Sequence, residues 1–192
     1  MEHINYTPPT ITEALTYDDV LLVPQDSSVT PATVSTTTNL SPSLQLDIPL
    51  LSAAMDTVSE YDMAVTMARA GGLAVLHRNM SVEAQCDIVK KLKSDNLKSA
   101  AAIGTGDEQL ERAKALIAAG ITMIVVDTAH GHSENVLKQV RAVRALSPDV
   151  TLCGGNIASA KAAEALIDAG VNAVKVGVGP GSICTTRIVA GV

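Results

Sequence analysis

The chain has 192 residues, 47% hydrophobic but only 2% aromatic, with neither Trp nor Phe, and a formal net charge of −6. That length holds one domain whose core must be built from Ala, Val, Ile, Leu and Met, which suits helices laid on a parallel sheet better than an aromatic-anchored sandwich. The acidic balance and the lack of a basic cluster count against nucleic acid or an anionic membrane as partners, and no apolar stretch nears the roughly 20 residues of a membrane span.

The N-terminus "MEHINYTPPTITEAL" has neither the basic start nor the apolar run of a secretion signal. The first fifty residues are rich in Thr, Ser and Pro and read as extended chain with short strands. After Pro49 a repeating unit begins. "MARAGGLAVLH", "LIAAGITMIVVD" and "LIDAGVNAVKVG" each end a helical pattern with Ala-Gly and run into a short apolar strand. Glycine is the expected residue just past a helix C-terminus, and a continuous apolar run marks a strand buried on both faces. Gly71, Gly120 and Gly170 recur at intervals of 49 and 50, with "SAAAIG" and "VTLCGG" between them. About 25 residues per strand and helix is the period of βα units.

Strands are expected at 49–53, 73–77, 99–103, 122–127, 150–154 and 173–177. Helices are expected at 60–70, 81–93, 107–119, 133–146 and 159–169. The fold class is α/β. A doubly wound open sheet alternates in the same way, but no dinucleotide fingerprint follows the first strand. The reading adopted is a (β/α)8 barrel with about six βα units in this chain, forming one domain over 1–192. Two units would then lie beyond "IVAGV".

Cys86, Cys153 and Cys184 are odd in number and widely spaced, so they form neither a disulfide framework nor a zinc pattern. A reducing cytoplasm is the simplest setting. In either architecture ligands gather at the C-terminal ends of the strands. Those ends carry "SAAMDT", "HRNM", "GTG", "DTAHGHS", "GGN" and "GVGPGSICTTR", a concentration of polar residues and glycine that turn-making alone does not explain.

In the last of these, Gly177, Gly179 and Gly181 permit close backbone approach to a ligand. Ser182 and exposed amides could receive a phosphate, or the loop carbonyls a monovalent cation; an ordinary long turn is the plain alternative. Cys184 lies among polar neighbours, where Arg187 and helix-end amides would favour the thiolate, whereas Cys86 and Cys153 read as small buried hydrophobes. Asp127 ends an apolar strand and suits a ribose hydroxyl, a helix cap or an ion pair. Lys175 faces inward and needs an anionic neighbour. His130 and His132 are a weak metal pair without a third ligand. Ser133 before Glu134 reads as a helix cap, Met55 as core, and Arg78 with Asn79 as a solvated turn.

Together "LTYDDVLLVP", "PLLSAAMDTVSE", "GGLAVLHRNMS", "DTAHGHS", "GGNIAS" and "VKVGVGPGSICTTRIVAGV" resemble the family of inosine-5′-monophosphate (IMP) dehydrogenase and its sister, GMP reductase. The likeness runs from about Leu15 to the last residue, and the cysteine-loop signature is highly specific. The resemblance implies a cytoplasmic, homotetrameric barrel enzyme that oxidises IMP with NAD, a loop cysteine attacking purine C2. It makes Cys184 the nucleophile, with Thr186 beside it. Ser52, Met55 and Ser182 would contact IMP, Ser182 at its phosphate. Asp127, with Thr128 and Ala129, would hold the nicotinamide ribose, with Asn156 and Lys175 near the reacting ring and Gly177 and Gly179 also on the cofactor side. Carbonyls of Gly179, Gly181 and Cys184 would bind a potassium ion.

"SAAMD" and "AHGHS" resemble the dehydrogenases; reductases tend to carry Asn in the first motif and "ANGYS" in the second. Two departures stand out. The tandem regulatory module usual in dehydrogenases is absent at about 93–98, where "KKLKSDNLKSAA" joins helix to strand directly, as in reductases. The remaining phosphate-binding glycines, the water-activating flap and the last two strands would fall beyond Val192.

Overall fold

Each apolar run becomes a strand, and each Ala-Gly punctuation ends a helix. The computed structural model describes Thr10 and residues 13–191; most of the N-terminal stretch read for a secretion signal lies outside them. A 3-10 turn, Tyr17–Asp19, is closed by Thr16, whose hydroxyl accepts from the Asp18 amide while its own amide donates to Asp19. An antiparallel hairpin follows, β1 (Thr38–Ser41) and β2 (Leu44–Leu46). Then come β3 (Leu51–Ser52), α1 (Tyr61–Arg69), β4 (Leu73–Leu76), α2 (Val82–Ser94), β5 (Ala100–Ile103), α3 (Asp107–Ala119), β6 (Met123–Asp127), α4 (Glu134–Leu146), β7 (Thr151–Ile157), α5 (Ala160–Ala169), β8 (Ala173–Val176) and the short α6 (Thr186–Ala190).

The six strands β3 to β8 are all parallel and lie side by side in chain order. A doubly wound sheet reverses strand order at a switch point; this one never does. The six strands form a half-barrel of α/β class. Gly120 and Gly170 end α3 and α5 in the left-handed conformation that glycine adopts without a Cβ clash. Ser133 stands at the start of α4, but its hydroxyl makes no cap hydrogen bond, unlike Ser81 on α2 and Ser159 on α5.

The continuous apolar runs have a simple cause, since both faces of the sheet are covered. Outward residues Leu76, Ile103, Ile124, Val126 and Leu152 meet Val89, Leu92, Leu116, Val136 and Leu166 of the helices. Inward residues Leu73, Val75, Ala100, Ala102, Met123, Val125 and Cys153 close on Leu44 and Leu46 of the hairpin. The hairpin therefore plugs the N-terminal end of the half-barrel. Ser41 and Thr151 pin it there by a buried hydroxyl pair at 2.7 Å, and Lys98 donates to the Gln45 carbonyl. Among the described residues the outermost strands β3 and β8 each pair on one side only, and Val176 is 55% exposed.

Candidate functional site

Above the hydrophobic inward residues, the same alternation brings polar groups to the C-terminal end of the sheet. Asp127 on β6 lies beside Gly155 on β7, and Gly155 beside Lys175 on β8. Neighbours in a parallel register face the same way, so the Lys175 side chain crosses over Gly155, and its Nζ stands 2.9 Å from Asp127 Oδ1. Gly155 permits this crossing. A Cβ there would sit 2.6 Å from Lys175 Cβ.

The "DTAHGHS" and "GGN" segments interlock through their backbones. Thr128 donates to the Gly155 carbonyl at 3.0 Å, Asn156 to Thr128 at 2.8 Å, and Gly131 to Asn156 at 2.7 Å. Gly131 approaches so closely that an added Cβ would lie 2.7 Å from the Gly155 carbonyl carbon. These contacts hold Asn156 at the mouth of a cavity of about 580 Å³, shared with Ala54, Met55, Asp56, His77, Arg78, Asn79, Asp127, Thr128, Ala129 and Lys175. Asn156 Oδ1 is buried without a hydrogen-bond partner among the described residues. A buried acceptor left unpaired is costly, so this oxygen is available to a ligand donor.

Across the cavity the buried His77 accepts from the Asn79 amide through Nδ1 at 3.2 Å, which directs an Nε2 proton at Glu60, 3.1 Å away. The Asn79 side-chain amide donates to Asp56 at 2.9 Å. The turn read as solvated is thus a wall of the cavity, and Met55, read as core, is 44% exposed on its rim. Gly131 and Gly155 fall within the strand-end motifs "DTAHGHS" and "GGN", but the sequence assigns them no individual role; the close approaches they permit appear only in the fold.

The cysteine loop stands apart from this cavity. Cys184 is exposed, with Sγ 3.1 Å from Thr186 Oγ1. The Thr186 hydroxyl, and then its backbone amide, hold the thiol below its ordinary pKa; Arg187 contributes less, contrary to the weight placed on its guanidinium. Burial pushes Cys153 up to about 12 and raises Cys86, as inert core thiols require. The Cys184 amide closes a tight turn onto the Gly181 carbonyl at 2.9 Å. Ser182 and Gly181 are exposed.

Gly177 and its neighbours line a second, more apolar cavity of about 530 Å³, with Tyr17 and Arg187. Ser52 is turned to Ser59, with the two hydroxyls 2.6 Å apart. The structure therefore brings together Met55, Asp127, Thr128, Ala129, Asn156 and Lys175. It leaves Ser52, Gly177, Gly179, Gly181, Ser182, Cys184 and Thr186 outside that cavity.

No group of three or more His, Cys, Asp or Glu side chains that could hold a metal occurs among the described residues. Carbonyl oxygens such as those of the cysteine loop suit a hard cation, and the unpaired Asn156 oxygen suits an amide or hydroxyl donor. No helix among the described residues is long and apolar enough to cross a membrane.

Residues 14–192 match the profile of the IMP dehydrogenase / GMP reductase domain. The chain belongs to that family. It is 38% identical over 230 residues to the inosine-5′-monophosphate dehydrogenase of Borreliella burgdorferi, a match covering 94% of this chain and 57% of the relative. With the protein of that name from Cryptosporidium parvum the identity is 39% over 225 residues, covering 95% and 56%. With that of Escherichia coli K12 it is 31% over 307 residues, covering 94% and 63%. The chain spans about three fifths of the length of these curated relatives.

Proposed function

We propose that this family member takes part in the NAD-dependent oxidation of IMP to xanthosine 5′-monophosphate, a step of guanine nucleotide synthesis, through a covalent bond between Cys184 and the purine. The observation that carries this reading is the exposed, acidified Cys184 thiol held by Thr186 inside the family's cysteine-loop signature. The Cys184 thiolate would attack purine C2, making the C2 hydrogen ready to leave as hydride. Water then replaces sulfur at C2, giving the oxidised base and returning the thiol.

NAD, when bound, supplies the carbon that accepts the hydride. Asp127 would hold its ribose, since Lys175 engages only Oδ1 of that carboxylate. Thr128 and Ala129 line the same wall, and Asn156 offers its unpaired oxygen. Ser52, Met55 and Ser182 hold IMP, the last at the phosphate, so the cysteine loop must fold in over the cavity when the nucleotide is seated. Gly177 and Gly179 let that loop pass close to the cofactor. Carbonyls of Gly179, Gly181 and Cys184 would hold potassium, whose charge would brace the loop. The same reading makes the whole protein a cytoplasmic homotetramer.

The test is NADH formation from IMP, NAD and potassium, with GMP and NADPH in parallel and intact-mass detection of the purine adduct. The proposal expects NADH and a Cys184 adduct that Cys184→Ala abolishes. NADPH consumption with GMP would instead favour the reductase, which the direct α2–β5 junction resembles. Silence in both assays, without an adduct, would leave this chain a non-catalytic part of the enzyme.

A further inference from the structure

Behind the turn between β4 and α2 lies a buried polar pair that none of the roles above uses. Gln85 on α2 is fully buried and Arg112 on α3 is 6% exposed. Arg112 donates from Nη1 to Gln85 Oε1 at 3.1 Å and from Nη2 to the Met80 carbonyl at 3.1 Å. Gln85 donates from Nε2 to the carbonyls of His77 at 3.0 Å and Ala102 at 3.2 Å. Two buried side chains thus grip carbonyls 77 and 80, the two ends of the turn whose middle residues are Arg78 and Asn79. Burying a guanidinium is costly, and an apolar pair would fill the space as well. What the polar pair adds is a fixed position for the turn.

Of the two middle residues, Asn79 is tied to Asp56. Arg78 makes no ion pair among the described residues, whereas the cavity's other cation, Lys175, is neutralised by Asp127. The Arg78 guanidinium lies over Gly104 at the end of β5, where an added Cβ would come within 3.3 Å of Nη1. Gly104 follows Ile103, which pairs with Val126, so it ends level with Asp127 on the neighbouring strand, roughly 5 Å away backbone to backbone. That offset suits a phosphate attached to a ribose held at Asp127, and guanidinium groups bind phosphate with two parallel hydrogen bonds.

We propose that Arg78 is the residue through which this cavity holds the phosphates of a dinucleotide, and that Gln85 and Arg112 are the positioning residues that aim it. The inference rests on the reading of Asp127 as the ribose-binding carboxylate. The test is calorimetric titration of the full chain with NAD, nicotinamide mononucleotide and nicotinamide riboside, which differ in the number of phosphates. Arg78→Ala is expected to weaken NAD and the mononucleotide about ten-fold or more and leave the riboside unchanged, with partial recovery in Arg78→Lys. Gln85→Leu is expected to reproduce that pattern without touching ligand, and to speed hydrogen exchange at the Asn79 amide. Gln85→Glu, which keeps the shape but loses the Nε2 donor, serves if the leucine variant fails to fold.

If Arg78→Ala weakens all three ligands equally or none, the phosphate role is overturned while Asp127 stands. If the Gln85 variants lower only the melting temperature, the positioning role is overturned. If the unmodified chain binds none of the three, the ribose assignment of Asp127 fails first, and Arg78 with it.

Discussion

Lys175 reaches Asp127 across a strand that separates them, and the 2.9 Å contact exists because Gly155 between them has no side chain. Gly155→Ala would place a methyl 2.6 Å from Lys175 Cβ and 2.7 Å from its carbonyl oxygen. The expected outcome is a loss of roughly 1–3 kcal/mol in urea unfolding, as overpacking of a filled site costs. Lys175→Met keeps the stem and removes only the charge. As the pair is partly exposed, stability should fall by about 1 kcal/mol or less, while NAD binding changes because Asp127 loses its neutralising partner.

The three thiols should react in a fixed order. Iodoacetamide at neutral pH is expected to label exposed Cys184 first and to leave Cys86 and Cys153 unmodified while the chain stays folded, as read by peptide mapping. Thr186→Val removes the largest cause of the lowered pKa. Its alkylation profile against pH should therefore shift upward, so that a higher pH is needed for the same thiolate fraction. An unshifted profile would assign the acidity elsewhere in the loop.

Cys153 makes stability fall in alkali. Unfolded, it ionises near an ordinary thiol pKa of about 8.5; folded, it stays neutral up to about 12. Between those values the unfolded state binds fewer protons, so stability drops as pH rises, by at most about 1.4 kcal/mol per pH unit. Cys153→Ala should flatten this slope relative to the parent chain between pH 9 and 11, in denaturant titrations at each pH. Equal slopes would show that the buried thiol is not the group responsible.

The hairpin plug is expected to matter as much as any helix. Leu46 is fully buried against the inward face of the sheet, and Leu46→Ala should cost about 2–5 kcal/mol in chemical unfolding. Gln45→Ala, on the exposed face of the same strand, should cost well under 1 kcal/mol.

Strands, helices and their punctuation were legible because their signals are local: a short apolar run, a 3.6-residue pattern, a glycine at the helix end. The observed spans depart from expectation chiefly at the outer strand β3, which has only two residues, and at β7, which runs on to Ile157 as its pairing with β8 shifts register. The candidate site was legible as a set of strand ends, since the βα repeat by itself sends them all to one end of the sheet. The five-residue helix α6, opening at Thr186, is not among the expected helix spans, although helix-end amides were expected beside Cys184.

Side-chain partnership was decided only by the fold. Asp127, Gly155 and Lys175 form one row through the registers of three strands, and no spacing along the chain reveals which residues stand level. Arg78 and Asn79 become a cavity wall because Gln85 and Arg112, from two different helices, meet behind them. Ser52 turns to Ser59 instead of the cavity. Periodicity along the chain determined which residues form each strand and helix; closure of distant segments upon one another, each held by contacts over tens of residues, decided which of them meet.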